Sequence, residues 1–138
     1  MNQEIKTPNN SVPIATTIVP WLSVSNSVQA VDFYKSAFGA IEVYRLEMDS
    51  GAVVRLSING AEFWVSSGSS ENENPGSEIS AQNPVRLILT VSNPDAVFAR
   101  ALEAGASEVF PVGEEHGWRL GRLIDPTGLH WEIGHPIT

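Results

Sequence analysis

The sequence contains no cysteine. Disulfides, thiolate nucleophiles and Cys-ligated zinc or iron–sulfur sites are therefore excluded. Basic residues are also scarce, because eight Lys and Arg stand against 16 Asp and Glu, which gives a net charge of −8. Such a surface repels phosphate backbones and anionic membranes. Because the basic residues form no run, we expect no nucleic-acid partner.

Long apolar runs are missing as well. No stretch approaches the roughly 20 apolar residues of a membrane-spanning helix, so we expect no membrane partner. The apolar run Ile14–Leu22 has no basic segment before it and no small-residue cleavage site after it. This pattern favours a strand over a signal peptide. The absence of a signal-peptide pattern and the lack of cysteines together lead us to expect a cytoplasmic protein.

The size and composition indicate one globular domain. The chain has 138 residues, of which 42% are hydrophobic and 17% charged. These values are ordinary for a domain that builds its own core without disulfides or metals. We therefore expect a single domain over residues 1–138.

The first half of the chain predicts one helix among four strands. The strand Thr16–Val24 precedes the helix-capping residues Ser25, Asn26 and Ser27. Apolar residues then recur with helical spacing up to Gly39, a typical helix stop; they are Ala30, Phe33, Tyr34, Ala37 and Phe38. Three further strands are predicted at Ile41–Met48, Ala52–Ile58 and Ala61–Ser67, the last two joined by the hairpin turn Asn59-Gly60.

The second half repeats this order after a polar segment. Residues 68–84 are rich in Ser, Asn, Glu, Gly and Pro and predict a flexible connector, either a linker or a lid. A strand follows at Val85–Val91, and then a helix capped by Asn93, with Pro94 in its first turn. The remaining strands are predicted at about Ala106–Val112, Trp118–Ile124 and Leu129–Gly134.

The two halves also share residues. Leu22–Asn26 is similar to Leu89–Asn93, and Phe38-Gly39-Ala40 is similar to Ala104-Gly105-Ala106. An internal duplication explains these similarities better than the alternative, chance resemblance of two strand–helix units. The predicted fold class is therefore α+β, with two tandem βαβββ modules at about 16–67 and 85–135.

Several motifs resemble those of one superfamily. Val31–Tyr34 with Phe38-Gly39 is similar to the first-helix signature of the vicinal oxygen chelate superfamily, which includes glyoxalases, bleomycin-resistance proteins and dioxygenases. Asp125–Gly128 followed by Trp131–Ile133 is similar to its last turn and strand. Trp131 with Arg119–Gly121 resembles the PhnB-like branch in particular. The resemblance implies that the modules curl into a mixed-sheet cup with helices on its outer face.

The resemblance also implies where a metal would bind. Metal-dependent members place His, Gln or Glu ligands on the first and last strands of each module. The matching positions here are Val19, Trp64, Arg86 and Glu132. Only Glu132 can hold a metal, since Val19 and Trp64 lack a suitable donor and Arg86 is a fixed cation. We therefore predict no bound metal and no cofactor.

The same positions predict a ligand-binding site. Trp21 and Trp64 are expected to face into the cup, where aromatic side chains line a pocket for a small molecule. Arg86 is expected to pair with Glu132, because a carboxylate enclosed in a cup needs a partner. Arg86 would also attract an anionic ligand, and His130 lies near Glu132 on the same strand face. The predicted ligand is therefore anionic or aromatic.

Two alternative functions remain open at this point. The chain is an enzyme of the same fold if Glu132 or His130 transfers a proton, with or without a metal site rebuilt from His116, His130 and Glu132. It is an interaction module if the cup is collapsed and empty. The resemblance itself implies a homodimer, because superfamily cups are commonly completed by a second chain.

Overall fold

The computed structural model describes residues 14–49, 51–67 and 85–137. It has the predicted α+β architecture with two βαβββ modules. The first contains β1 (Trp21–Val24), α1 (Ser27–Phe38), β2 (Ile41–Met48), β3 (Gly51–Ile58) and β4 (Ala61–Ser67). The second contains β5 (Leu87–Thr90), α2 (Pro94–Glu103), β6 (Ser107–Glu115), β7 (Trp118–Ile124) and β8 (His130–Pro136). The predicted connector 68–84 lies outside the described residues.

Each module forms one four-stranded mixed sheet. The strand orders are β1-β4-β3-β2 and β5-β8-β7-β6, so the first and last strands of each module are parallel neighbours. In each module the helix carries the chain from the first strand at one edge of the sheet to the second strand at the other edge, and the last strand then lies parallel to the first. The equal strand order confirms the repeated pattern that the sequence predicts.

Local capping explains where the helices begin and end. Asn26 Oδ1 accepts a hydrogen bond from the backbone N–H of Gln29 at 3.0 Å, and α1 ends at Gly39, whose φ is 71°. Asn93 Oδ1 accepts from the N–H of Ala96 at 3.2 Å in α2. These contacts confirm the predicted caps, which satisfy N–H groups that have no partner within the helix.

Several predicted strand boundaries were wrong. The first strand begins at Trp21 rather than Thr16, and Ile18 is 97% exposed. Pro20 lacks an N–H and cannot donate to a parallel ladder, although its carbonyl accepts from Trp64 N at 2.9 Å. The second module's first strand likewise covers Leu87–Thr90 rather than Val85–Val91. The strand predicted at Ala106–Val112 spans Ser107–Glu115, and the last runs on to Pro136.

One face of each sheet packs against its helix. Leu22 and Val24 on β1 are buried together with Phe63 and Val65 on β4, and Leu123 on β7 is buried in the same way. Since side chains alternate along a strand, the residues between them lie on the opposite face. We call that opposite surface, which carries Trp21 and Trp64 in the first module and Ile88 and Glu132 in the second, the helix-free face.

The two modules pack on each other within the chain. Helix α1 contacts α2, and an aromatic cluster spans the junction, with Phe38 and Phe63 of the first module against Trp131 of the second. Tyr34 on α1 donates a hydrogen bond of 2.6 Å to Asp125 in the turn between β7 and β8. Burial, with the Asp125 carboxylate adding to it, raises the pKa of Tyr34 well above its ordinary value. In the ranges described, no helix is long and apolar enough to cross a membrane.

Candidate functional site

A row of four side chains crosses the helix-free face of the first module. The strand register aligns Tyr44 with Arg55, Arg55 with Trp64, and Trp64 with Trp21. The rings of Trp21 and Trp64 are stacked, with centroids 5.5 Å apart and an interplanar angle of 21°. The Arg55 guanidinium lies 5.1 Å from the Trp64 ring centroid, and Tyr44 meets Trp64 edge-on. This row is therefore an aromatic cluster that includes a cation.

A matching row crosses the second module. Here Phe110 aligns with Arg122, Arg122 with Glu132, and Glu132 with Ile88. Arg122 lies over the Phe110 ring, 5.9 Å from its centroid, as Arg55 lies over an aromatic ring in the first module. The two rows thus share an arginine on the third strand of each module. They differ on the last strand, where Trp64 in one corresponds to Glu132 in the other.

The second row is built around a carboxylate with two cations. Glu132 Oε2 lies 2.9 Å from Arg122 Nη2 and 3.1 Å from Arg86 Nε. Only 12% of the Glu132 side chain is exposed, compared with 24% for Arg122 and 50% for Arg86. The predicted pairing of Arg86 with Glu132 is confirmed. The group as a whole carries one more positive charge than negative, in a protein whose net charge is −8.

Sequence reasoning missed Arg122. The available signal was the hairpin register, because the turn that starts at Asp125 aligns Ile124 with His130 and therefore Arg122 with Glu132. Arg122 lies within β7, whereas Arg86 lies one residue before β5. In the described part of the chain, Arg122 Nε is a buried donor without an acceptor. A buried donor without an acceptor is unusual in folded proteins, so a water molecule or a ligand atom would be a favourable partner for this guanidinium.

Two shallow hollows border Trp21. One, of about 280 Å³, includes Met48 and Ser66, and the other, of about 210 Å³, includes Val85 and Leu87. The Trp21 side chain is 53% exposed, and its Nε1 donates a hydrogen bond of 2.9 Å to Ser66 Oγ. The second hollow brings Trp21 close to the two residues that flank Arg86 in sequence. The hollow therefore joins the aromatic row of the first module to the segment of the second module that carries Arg86.

Comparison with known proteins identifies the family. The model of the glyoxalase-like domain matches residues 21–134. An uncharacterized protein of Mycobacterium bovis is 33% identical over 135 residues, which cover 92% of this chain and 88% of that protein. The chain belongs to the glyoxalase-like family of the vicinal oxygen chelate superfamily.

Solved structures agree with this assignment. The structure of a gene product of Arabidopsis thaliana is 31% identical and has a TM-score of 0.64, covering 88% of this chain and 98% of that one. TnmS3, an antibiotic-binding protein from Streptomyces sp. CB03234, is 22% identical and has a TM-score of 0.67 over 90% of this chain and 99% of that one. At that identity the similarity concerns the fold alone.

The residues at the superfamily's metal positions do not form a metal site in this glyoxalase-like domain. Val19 and Arg86 precede β1 and β5, and Trp64 is occupied by ring contacts with Trp21 and Tyr44. Within residues 14–49, 51–67 and 85–137, no three His, Asp or Glu side chains are grouped so that they could hold a metal ion. A divalent cation needs several oxygen or nitrogen ligands, so this donor set does not suit one.

The histidines of the glyoxalase-like domain are not brought together. His130 begins β8 on the same face as Glu132 and pairs with Ile124. His116 lies in the turn of the β6–β7 hairpin with a φ of 53° and contacts Glu115 at 3.3 Å. That hairpin end is adjacent to Pro136, at the other end of β8 from His130. A metal site rebuilt from His116, His130 and Glu132 is therefore not formed.

Proposed function

We propose that this glyoxalase-like domain binds a small molecule on its helix-free face and does so without a metal. One observation carries the proposal: Trp21 and Tyr44 of the aromatic row are half-exposed, and a hollow joins Trp21 to Val85 and Leu87, the neighbours of Arg86 in sequence. Ligand sites combine apolar and aromatic walls with a few polar groups that orient the ligand. The two rows supply both.

The geometry favours a ligand with a flat part and an anionic group. The exposed ring of Trp21, held by its stack on Trp64 and its bond to Ser66, presents a rigid surface for a planar molecule. Arg86, together with His130 and Glu132, would orient the polar end. The antibiotic-binding protein TnmS3 has the same fold, which supports small-molecule binding as a use of this architecture. The motifs around Trp131 favour the PhnB-like branch.

Titration of the purified protein with small aromatic compounds, followed by tryptophan fluorescence and calorimetry, tests this proposal. We expect saturable binding in the presence of a chelator, and a loss of about 1–3 kcal/mol of binding free energy in Trp21→Ala, because stacking area is removed. Trp118→Ala is the matched control, since Trp118 lies at the far end of β7 beside the hairpin turn. Equal binding by both variants, or binding that disappears with chelator, would contradict the proposal.

The metal-free part of the proposal has its own test. Val19, Trp64 and Arg86 stand at three of the four superfamily ligand positions, so protein purified without chelator should carry no stoichiometric Ni, Zn, Fe or Mn. Elemental analysis measures this directly. A result near one metal per chain that is lost in Glu132→Gln or His130→Ala would overturn it and favour the enzymatic alternative.

We also propose that the protein forms a homodimer. Edge strand β2 exposes a series of large apolar side chains, each 46–61% exposed; they are Ile41, Val43, Tyr44, Leu46 and Met48. An apolar edge strand of this length is usually covered, because its unpaired backbone and side chains promote association. Light scattering at micromolar concentration should give twice the mass of one chain. The mass of a single chain would refute the homodimer.

A further inference from the structure

The two arginines that contact Glu132 are not equivalent. Arg122 and Glu132 are cross-strand partners on β7 and β8, so the backbone register itself holds them together. Arg122 Nη2 also donates a hydrogen bond to Glu132 Oε2, and its guanidinium rests on Phe110. The contact is therefore supported by the sheet, by a charged hydrogen bond and by ring packing.

Arg86 has much weaker support. It lies one residue before β5, and half of its side chain is exposed. Its ion pair with Glu132 uses Nε rather than the two terminal nitrogens of the guanidinium. Exposed ion pairs of this kind contribute little, because solvent screens the charges and the long side chain loses conformational freedom. Arg86 can therefore leave Glu132 at low cost.

Removal of Arg86 does not leave Glu132 alone. A buried carboxylate without a partner is strongly destabilising, which usually prevents a ligand from taking its cation. Here Arg122 Nη2 lies 2.9 Å from the same Glu132 oxygen that Arg86 contacts, so Glu132 would keep one cation if Arg86 moved away. The site can thus offer one guanidinium to an incoming anion while the carboxylate stays neutralised.

We propose that Arg86 is the exchangeable cation that binds the ligand's anionic group, and that Arg122 is the fixed counter-ion of Glu132. This inference rests on the proposed function and adds a specificity residue and a ligand group to it. The group is a planar monoanion such as a carboxylate, because the fork of a guanidinium binds such a group through two parallel hydrogen bonds. Trp21, across the hollow that includes Val85 and Leu87, would contact the rest of the ligand.

Naphthoate and naphthamide, which share their shape and differ in charge, are the probes for this inference. In calorimetric titrations of the intact protein we expect naphthoate to bind more tightly than naphthamide. In Arg86→Met, naphthoate should weaken by roughly ten- to hundredfold while naphthamide changes little. If the unaltered protein binds naphthamide but Arg86→Met leaves the preference for naphthoate unchanged, only this inference falls. If it binds neither compound, the proposed function falls with it.

A second measurement needs no ligand. Urea unfolding should show a clear fall in the midpoint for Arg122→Met and little change for Arg86→Met, because only the first leaves Glu132 with a weakly held partner. The double variant Arg122→Met, Glu132→Gln should recover the midpoint, since no charge is then stranded. If Arg122→Met alone does not fold, the midpoint of the double variant still tests whether the unpaired charge of Glu132 is the cause. A larger fall for Arg86→Met than for Arg122→Met would overturn the assignment.

Discussion

Replacing Tyr34 by phenylalanine removes one hydroxyl at the junction of the modules. That hydroxyl donates a 2.6 Å hydrogen bond to Asp125 Oδ2, and the same oxygen accepts from Trp131 Nε1 at 2.8 Å. Asp125 is 3% exposed, and its other oxygen accepts from Thr127 and from the backbone N–H of Leu129. No cation neutralises this carboxylate among the described residues, so its stability depends on hydrogen-bond donors.

The expected cost of Tyr34→Phe follows from this geometry. A buried hydrogen bond to a charged group contributes about 1.5–3 kcal/mol, and phenylalanine fills nearly the same volume, so no cavity is created. For a chain of this size the loss corresponds to a fall in Tm of roughly 5–10 °C. Urea and thermal unfolding measure it, with Tyr44→Phe as the matched control because Tyr44 is half-exposed on β2.

The pH dependence gives a second readout of the same bond. Burial and Asp125 raise the pKa of Tyr34 in the folded protein above the ordinary value of 10.0. Above that value the unfolded chain loses the phenol proton while the folded protein keeps it, so stability falls as pH rises. The difference in the free energy of unfolding between wild type and Tyr34→Phe should therefore have its full value below pH 10 and become smaller above it. A variant within about 0.5 kcal/mol of wild type at neutral pH would refute this account.

Two further changes test the packing and the surface charges. Gly121→Ala would place a Cβ 2.9 Å from Phe98 of α2, which should cost about 1–3 kcal/mol in urea unfolding. Gly113→Ala is its control, since nothing lies within 4 Å there, and an equal cost for both would contradict the steric argument. Hydrogen bonds, first of all from Arg45, lower the Glu42 pKa to about 2, so ionised Glu42 stabilises the folded protein. Because the pair is partly exposed to solvent, Glu42→Gln should lower the free energy of unfolding at pH 7 by less than about 1 kcal/mol. The stabilisation by ionised Glu42 is present above pH 4.5, its ordinary pKa, and is lost as the pH falls toward 2. If Glu42→Gln is still less stable than wild type at pH 2, the ion pair is not the cause of the difference.

Much of the fold follows from local chemistry in the sequence. Apolar residues with helical spacing, from Ala30 to Phe38, and a glycine at position 39 define α1 without reference to anything distant. Asn59-Gly60 likewise sets the β3–β4 hairpin through its two positive φ angles. The duplication then predicts that both modules repeat one strand order. These signals are short-range, and for that reason they are visible in a single sequence.

Strand ends were harder to predict because they depend on neighbours. Residues 14–20 have the composition of a strand, but a strand needs a partner for its N–H groups, and Pro20 interrupts the donors. Similarly, the extension of β8 to Pro136 reflects its pairing with Trp118 on β7. The pattern of apolar residues alone does not show which backbone N–H and C=O groups form hydrogen bonds with a neighbouring strand, so it does not fix where a strand ends.

For the site, the sequence alone determined which residue types stand at the superfamily's metal positions: a valine, a tryptophan, an arginine and one glutamate in place of a metal-binding set. It also predicted that Arg86 pairs with Glu132, because an enclosed carboxylate requires a cation. Only the tertiary structure decided that Arg122 is the better-held partner, since that contact depends on the register of two strands and on a ring beneath the guanidinium. An enclosed carboxylate needs a cation wherever it lies, so the sequence is enough to predict a charged pair. Which arginine is held more firmly depends on the strand register, which exists only in the folded chain.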